Sequence, residues 1–319
     1  MAKVSVAVKL ALVLILAAAW TGPSACVRNE LLGTIASDGG GDAAPPLPPR
    51  FSPPTLVAAL SDPDAIDEDP TFTTDVLELY FMSTRAGNRD IWTARRATAA
   101  DPWQAPTRVG ELDSADSDWA PAVSLDGLRI WFASDRDSGG RGQIWRSTRA
   151  SRSAPWDPPA PVAELASGSV DFAPAVDATE TTMLLSSDRA SPAATAGGAG
   201  FDIYMATRAG TGAAWGWPVA VPGVNSDDAD EYDPFVAQGG LVVFFTSMRS
   251  GMGDIYWSSR RALAEPFAPP VALDDLNSTA YDSDSTLSPD LGTIMFSSTR
   301  SGNAEIYEAS ALRQNTSQK

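Results

Sequence analysis

From residue 51 onward, short and strongly apolar runs alternate with turn-rich polar segments, and no stretch keeps the 3.6-residue period of an amphipathic helix. Five of the apolar runs, such as "LELYFMS" and "LVVFFTS", end at a shared Ser-x-Arg triplet. The five pairs are Ser83/Arg85, Ser134/Arg136, Ser187/Arg189, Ser247/Arg249 and Ser298/Arg300. Aromatic and aliphatic residues in a near-continuous run are typical of a buried strand. The pattern therefore predicts one buried strand in each of five repeats.

A second strand follows each arginine after a turn. It begins with an acidic or amide residue, then Ile, then an aromatic residue. These triplets are Asp90-Ile91-Trp92, Gln143-Ile144-Trp145, Asp202-Ile203-Tyr204, Asp254-Ile255-Tyr256 and Glu305-Ile306-Tyr307. Two apolar runs around a short turn predict a β-hairpin. The third copy has a longer turn, residues 190–200, which we expect to sit at a loop tip where insertions are tolerated.

A further element places an aromatic residue nine positions before an aliphatic one, as in Trp103 and Leu112. It recurs at Trp156/Leu165, Trp215/Val224 and Phe267/Leu276, and the fifth copy, Phe51/Leu60, lies at the other end of the repeat region. The last repeat, which ends near Leu312, has no such element of its own. We therefore expect the segment that begins at Phe51 to complete the last repeat and to close a ring.

These repeats predict an all-β fold, a five-bladed β-propeller of four-stranded blades, closed by an N-terminal strand that completes the last blade. The segments "SLDGLRIWFASDRDSGGRGQIW" (124–145) and "SPDLGTIMFSSTRSGNAEIY" (288–307) resemble the WD40-like PD40 repeats of TolB-type β-propellers. The resemblance covers residues 51–312 and implies the fold. Typical TolB proteins carry a further N-terminal domain and six blades, so a role in the Tol system does not carry over.

Composition narrows the possible chemistry. The chain of 319 residues is 44% hydrophobic, enough for a sizeable core, and its formal charge of -17 disfavours nucleic acid as a partner. The sequence contains no histidine, which excludes Ser-His-Asp and Cys-His catalytic arrangements. Its single cysteine, Cys26, excludes an intramolecular disulfide or a cysteine metal cluster.

The N-terminal segment predicts export. Lys3 and Lys9 precede the apolar run of residues 10–20, which is short for a membrane span and typical of a signal peptide, predicted over residues 1–25. "GPSAC" resembles the end of a bacterial lipobox with Cys26 as the lipidated residue, although Pro23 departs from the motif; an ordinary secretory signal is the alternative. Residues 26–50 predict a Gly/Pro-rich tether, 51–312 a single propeller domain, and 313–319 a flexible tail.

A column of acids marks the start of each repeat. An acidic residue stands three positions before a proline in four repeats and at the matching position of the fifth, where Ser285 replaces proline. The acids are Asp67, Asp118, Asp171, Glu231 and Asp282. They are candidates for a cation or polar-ligand face, with calcium as the possible ion. Further acids add nearby charge, namely Asp69, Asp116, Asp284 and the run Asp227, Asp228, Asp230 and Asp233. Alternatively, each acid accepts hydrogen bonds from a turn or pairs with a repeat arginine. Fivefold repetition favours this structural role over catalysis.

Three side chains beside the acid column are aromatic, namely Trp119, Phe172 and Tyr232, and they are candidates for ligand binding or for packing. The aromatic residues of the hairpins, at 92, 145, 204, 256 and 307, favour packing between blades over a sugar-stacking platform. We further expect each repeat arginine to contact the acidic or amide residue of its own hairpin, Asp90 or Gln143 for example, with an anion site on arginine as the alternative.

Together these features predict a non-catalytic, lipid-anchored module of the bacterial cell envelope, facing the periplasm or the exterior, that binds a protein, peptide or glycan. We expect a monomer without a cofactor. The alternative is a carbohydrate-active enzyme, because five-bladed propellers include glycosidases that use carboxylates at the channel mouth. A purely structural module in an envelope assembly is a third possibility.

Overall fold

The computed structural model describes residues 48–190 and 200–312, which contain twenty-one β-strands and one short 3-10 turn, Gln238–Gly240. The strands form five antiparallel sheets, and consecutive sheets pack against one another until the last contacts the first. The chain is therefore a five-bladed β-propeller, and the predicted fold class is confirmed.

The chain begins with β1 (Arg50–Phe51) and β2 (Thr55–Leu56). Blade 1 consists of β3 (Asp67–Phe72), β4 (Glu78–Ser83), β5 (Asp90–Arg95) and β6 (Thr107–Arg108). Blade 2 consists of β7 (Asp118–Val123), β8 (Arg129–Ser134), β9 (Gln143–Thr148) and β10 (Ala160–Pro161). Blade 3 consists of β11 (Asp171–Val176), β12 (Thr182–Ser187), β13 (Asp202–Thr207) and β14 (Val219–Ala220). Blade 4 consists of β15 (Glu231–Ala237), β16 (Val242–Ser247), β17 (Asp254–Ser259) and β18 (Val271–Ala272). Blade 5 consists of β19 (Asp282–Leu287), β20 (Thr293–Ser298) and β21 (Glu305–Leu312).

The N-terminal strands close the ring. In β2, Thr55 pairs with Glu308 and Leu56 pairs with Tyr307, so β2 takes the outermost position that the other blades fill from their own repeat. Strand β1 extends the same edge of β21 through Phe51 and Ala311. The two ends of the propeller thus share one sheet, in which β1 and β2 cover the outer edge of β21.

The hydrophobic core lies in layers between neighbouring blades. The layer between blades 5 and 1 contains Leu60, Phe81, Met295 and Ile306, all fully or almost fully buried. Side chains on both faces of the second strand of a blade face a neighbour, which explains why these strands read as continuous apolar runs rather than as alternating ones.

Every innermost strand carries the same irregularity at its third residue. The pairing register with the second strand shifts there, and the third residue has a positive φ in all five blades, between 47° and 59°. These residues are Asp69, Ala120, Ala173, Asp233 and Asp284. A bulge of this kind redirects a side chain, here at the wall of the central channel.

The predicted signal segment, Cys26, nearly all of the predicted tether, most of the third-copy insertion and the predicted tail lie outside the described residues. Arg50, at the end of the predicted tether, already belongs to β1. Across the ranges 48–190 and 200–312, no helix has the length and apolar character that a membrane span requires.

Candidate functional site

The five acids predicted as a ligand face begin the innermost strands, and their side chains are buried. Each pairs with the Ser-x-Arg arginine of its own blade: Arg85 with Asp67 at 2.6 Å, Arg136 with Asp118, Arg189 with Asp171 at 2.5 Å, Arg249 with Glu231 at 2.8 Å, and Arg300 with Asp282 at 2.6 Å. The pairing with a repeat arginine, the structural alternative, is therefore observed in every blade.

The second oxygen of each carboxylate holds the preceding loop. The Asp67 Oδ2 atom, for example, accepts the backbone N–H of Asp62 at 2.7 Å, and Ser114, Ser167, Ser226 and Ser278 donate in the same way in the other blades. Each carboxylate thus fastens the loop that enters its blade. A cation at these five residues stays a prediction, and it would have to share oxygens that protein donors already use.

The prediction that each repeat arginine contacts the acidic or amide residue of its own hairpin was wrong. Asp90, the hairpin acid of blade 1, pairs with Arg108 on the outermost strand, whereas Arg85 bonds Asp67. Ser83, two residues before the arginine, lies opposite both Asp67 and Asp90, because the second strand is central in the blade. Local spacing alone left both acids within reach, and packing selected the inner one.

The hairpin aromatics lie beneath the same arginines. The guanidinium of Arg85 lies 5.1 Å from the centre of the Trp92 ring, and the corresponding arginines stack on Trp145, Tyr204, Tyr256 and Tyr307 at 4.9–5.1 Å. The Ser83 Oγ atom accepts a 2.8 Å bond from Arg85 Nε. The Ser-x-Arg triplet and the hairpin aromatic residue thus have an architectural role. The arginine stacks on the aromatic ring and pairs with the acid of the innermost strand, and these contacts fix each blade.

A different set of acids meets in the central channel. Oxygens of Asp69, Asp233 and Asp284 all lie within 4.8 Å of one another. The three residues occupy the bulge position of blades 1, 4 and 5, which are consecutive across the closure, whereas blades 2 and 3 carry alanine there. We call these three residues the channel triad. It makes one side of the channel acidic and leaves the other side apolar.

Crowding and burial set the electrostatics of the channel triad. Burial and the neighbouring charge of Asp284 raise the pKa of Asp69 and the pKa of Asp233 well above the usual range. Burial also raises the pKa of Glu68, the neighbour of Asp69, to about 7. Within the described parts of the chain, no basic side chain forms an ion pair with the triad. Asp69 has one protein donor, the Ala120 N–H at 3.0 Å.

The channel below the triad forms a cavity of about 280 Å³ that runs toward the opposite face. Its wall beside the triad is the proline column, Pro70, Pro121, Pro174 and Pro234, interrupted by Ser285 in blade 5. Farther along, apolar residues such as Val123, Val176 and Leu287 line it together with polar ones such as Ser124, Asp177 and Gln238. The triad is therefore an acidic cluster at one end of a channel with a mixed lining.

An arc of aromatic side chains surrounds the mouth of the channel, at the face where the innermost strands begin. The rings of Phe172 and Phe201 lie 5.2 Å apart, those of Phe201 and Tyr232 lie 6.5 Å apart, and the Tyr281 hydroxyl bonds the Tyr232 hydroxyl at 2.9 Å. Trp119 continues the arc in blade 2. We call these five residues the aromatic arc.

Glycines make room for the aromatic arc. A Cβ atom on Gly142 would lie 2.9 Å from Cζ2 of Trp119, and one on Gly253 would lie 2.5 Å from Cε2 of Tyr281. These glycines stand just before the third strands of blades 2 and 4, where blade 1 has Arg89 and blade 3 has Phe201. The structure therefore brings the predicted Trp119, Phe172 and Tyr232 together, and adds Phe201 and Tyr281, which sequence reasoning did not select.

The comparisons with known proteins concern the fold. No protein-family model matches the chain, and no curated protein sequence matches it. Among solved structures, a thermostable family-43 glycoside hydrolase matches with a TM-score of 0.55 at 16% identity, over 79% of this chain and 90% of that one. An α-L-arabinofuranosidase from Podospora anserina in complex with cellotriose matches with a TM-score of 0.53 at 10% identity, over 83% and 96%.

TolB-type propellers, which the repeats resemble, are also among the matching structures. TolB from Acinetobacter baumannii matches with a TM-score of 0.49 at 13% identity, over 78% of this chain. The chain spans 55% of the length of that protein. At these identities the matches show the shared β-propeller fold and leave activity to be argued from the site itself.

Proposed function

We propose that this protein is a non-catalytic binding module of the bacterial cell envelope, whose ligand, a peptide or a glycan, docks at the channel mouth. One observation carries the proposal: five aromatic side chains form an arc beside the channel triad, whose acids form no ion pair with a basic side chain of the described residues. Half-buried aromatic rings next to acids suit sugar faces and basic side chains. Partly exposed rings of this kind are also typical anchors of protein interfaces.

The charge of the chain supports a partner with basic or neutral character. A formal charge of -17 repels acidic ligands and accelerates the approach of basic ones. Lipidation at Cys26 would hold the propeller at a membrane, and the tether would set its reach. Mass spectrometry of the mature N-terminus tests this anchor, because an unmodified Cys26 in the exported protein would contradict it.

Truncation of the aromatic arc should weaken ligand binding without unfolding the propeller. We expect the wild-type protein to give saturable binding on a glycan array or a library of basic peptides. Trp119→Ala and Tyr232→Ala should each weaken that binding about tenfold or more, because anchoring aromatics carry a large share of binding energy. Calorimetric titration with the strongest array ligand provides the measurement.

Trp217→Ala is the matched control, since Trp217 is 62% exposed and lies outside the aromatic arc. It should bind like the wild type. Failure of the wild type to bind any glycan or basic peptide, or unchanged binding by both arc variants, would contradict the proposal.

Glycoside hydrolysis is the second candidate function. Its supporting observation is that carboxylates near the mouth have unequal environments. Asp67 is paired with arginine, the channel triad has no basic partner within residues 48–190 and 200–312, and Glu68 lies near Arg89. A glycosidase places its two carboxyl groups about 5–9.5 Å apart, around the scissile bond. Oxygens of the triad converge within 4.8 Å, which leaves little room for a sugar between them. Release of nitrophenol from aryl glycosides, lost in Glu68→Gln, would establish this second function.

A further inference from the structure

The repeat breaks its own pattern at one position of the channel wall. Four innermost strands place proline directly after the bulge, and blade 5 places Ser285 there. Ser285 is 5% exposed, lines the same cavity as the channel triad, and its Oγ atom has no hydrogen-bond partner among the described residues. A buried hydroxyl without a partner costs free energy, and because Ser285 directly follows Asp284, a ligand bound at the channel triad can supply the missing partner.

We propose that Asp69, Asp233, Asp284 and the hydroxyl of Ser285 form a site for a hard divalent cation of the calcium class in the central channel. This inference is independent of the peptide or glycan proposed for the mouth. It concerns the channel wall, whereas the proposed function concerns the aromatic arc.

The geometry fits such an ion. Calcium binds oxygen ligands at about 2.3–2.6 Å, so three oxygens around one ion lie at most about 5 Å apart. The channel triad meets this condition, since one carboxylate oxygen from each residue lies within 4.8 Å of the other two. Three consecutive blades supply them from the same bulge position, so the backbone holds them at fixed points.

The donor set selects the kind of metal. Three carboxylates and a hydroxyl are all oxygen ligands, which suit calcium, magnesium and manganese rather than zinc or copper. The chain contains no histidine. Calcium accepts six to eight oxygens in variable geometry, so water from the channel can complete the shell, whereas magnesium demands a near-ideal octahedron.

The groups around the channel triad favour a bound cation, rather than a basic side chain, as the partner of its carboxylates. Ser283 donates a 2.7 Å hydrogen bond to Asp284 Oδ2, which orients the central carboxylate of the triad. Asp284 lies within hydrogen-bonding reach of both Asp69 and Asp233. Without a bound cation, the three carboxyl groups must share protons to coexist at this distance. Protons therefore compete with a cation for the carboxylate oxygens of the triad.

Calorimetric titration of the chelator-treated, full-length protein with calcium chloride at pH 7.5 tests the site. We expect one saturable site per chain and a calcium-dependent rise in the unfolding temperature. Asp284→Asn should weaken calcium binding by at least about tenfold, and Ser285→Ala should weaken it by a smaller factor. Asp284→Asn also removes a crowded charge, so the variant should fold.

Asp64→Asn is the matched control, because Asp64 is exposed and distant in the repeat from the bulge position. It should bind calcium like the wild type. Two outcomes would overturn the site: a wild-type protein that gives no saturable calcium signal and the same unfolding temperature in chelator and in calcium, or an Asp284→Asn variant with undiminished affinity. Binding of a glycan or peptide at the mouth in a protein that ignores calcium would leave the proposed function standing.

Discussion

Leu60→Ala is expected to lower the free energy of unfolding by about 2–5 kcal/mol, the usual loss for a buried leucine that leaves a cavity. Leu60 is fully buried in the layer between blades 5 and 1, with Phe81, Met295 and Ile306 as neighbours. Its carbonyl also accepts a 2.6 Å bond from Arg85, so the segment is fixed to blade 1. Single domains are stable by only about 5–15 kcal/mol, and this one change therefore removes a large fraction. Urea unfolding followed by tryptophan fluorescence measures the loss.

Leu56→Ala serves as the control for the closure, because Leu56 lies four residues away in β2 and is 43% exposed. Its effect should stay within about 0.5 kcal/mol. Equal effects of the two substitutions would show that the N-terminal segment does not pack between blades 5 and 1. An effect confined to Leu60→Ala would show that the buried leucine, and not the exposed leucine of β2, stabilises the contact between blades 5 and 1.

Glu78→Gln is expected to destabilise the protein by about 3–5 kcal/mol, because it removes one partner of a buried ion pair. Glu78 is 1% exposed and accepts hydrogen bonds from Arg149 at 2.7 Å and from Arg95 at 2.7 Å. The Arg149 side chain, on blade 2, is itself 2% exposed. Without the carboxylate, its charge would be buried between two blades with only neutral acceptors. Equilibrium unfolding at pH 7 provides the measurement.

The same residue predicts a pH dependence. The arginine contacts lower the pKa of Glu78 to about 2 in the folded chain, against a usual value near 4.5. A lowered folded-state pKa stabilises the protein above the unfolded pKa, and that stabilisation disappears as the pH falls from about 4.5 through about 2. Glu78→Gln should therefore differ most from the wild type near neutral pH and least below pH 2. Glu265→Gln, the same chemical change at an exposed residue, should alter neither stability nor its pH profile. A Glu78→Gln variant as stable as the wild type at pH 7 would contradict the assigned ion pair.

The blade architecture was predictable because similar local sequence patterns recur from blade to blade. Each copy carries its own buried strand and hairpin, and the first four also carry an outer aromatic and aliphatic pair such as Trp103 and Leu112, both of which are buried. The displaced copy at Phe51 and Leu60 identified the closure, which β2 and β21 then form. Local patterns suffice here because each blade is one supersecondary unit that contacts only its neighbours.

The functional site was only partly predictable. Asp69, Asp233 and Asp284 were visible as extra acids. Their shared position, two residues after the arginine-paired acid of the same strand, was the signal that separates them from the arginine-paired acids. Phe201 and Tyr281 precede strands of different blades, and nothing in their spacing predicts that they extend one arc. Contacts between residues of different blades depend on how the closed ring brings the blades together. That arrangement leaves no periodic pattern in the sequence.

By itself, then, the sequence determined the number of blades, the strand-exchange closure and the buried core, because strand periodicity and turn residues act within a single repeat. Tertiary structure determined which side chains pair with one another. It assigned Arg85 to Asp67 rather than to Asp90, since the central strand places both within reach and Asp90 pairs instead with Arg108 of the outermost strand. It also gathered the channel triad, because the bulge turns the third residue of each innermost strand toward the axis, and only a closed ring makes blades 4, 5 and 1 neighbours.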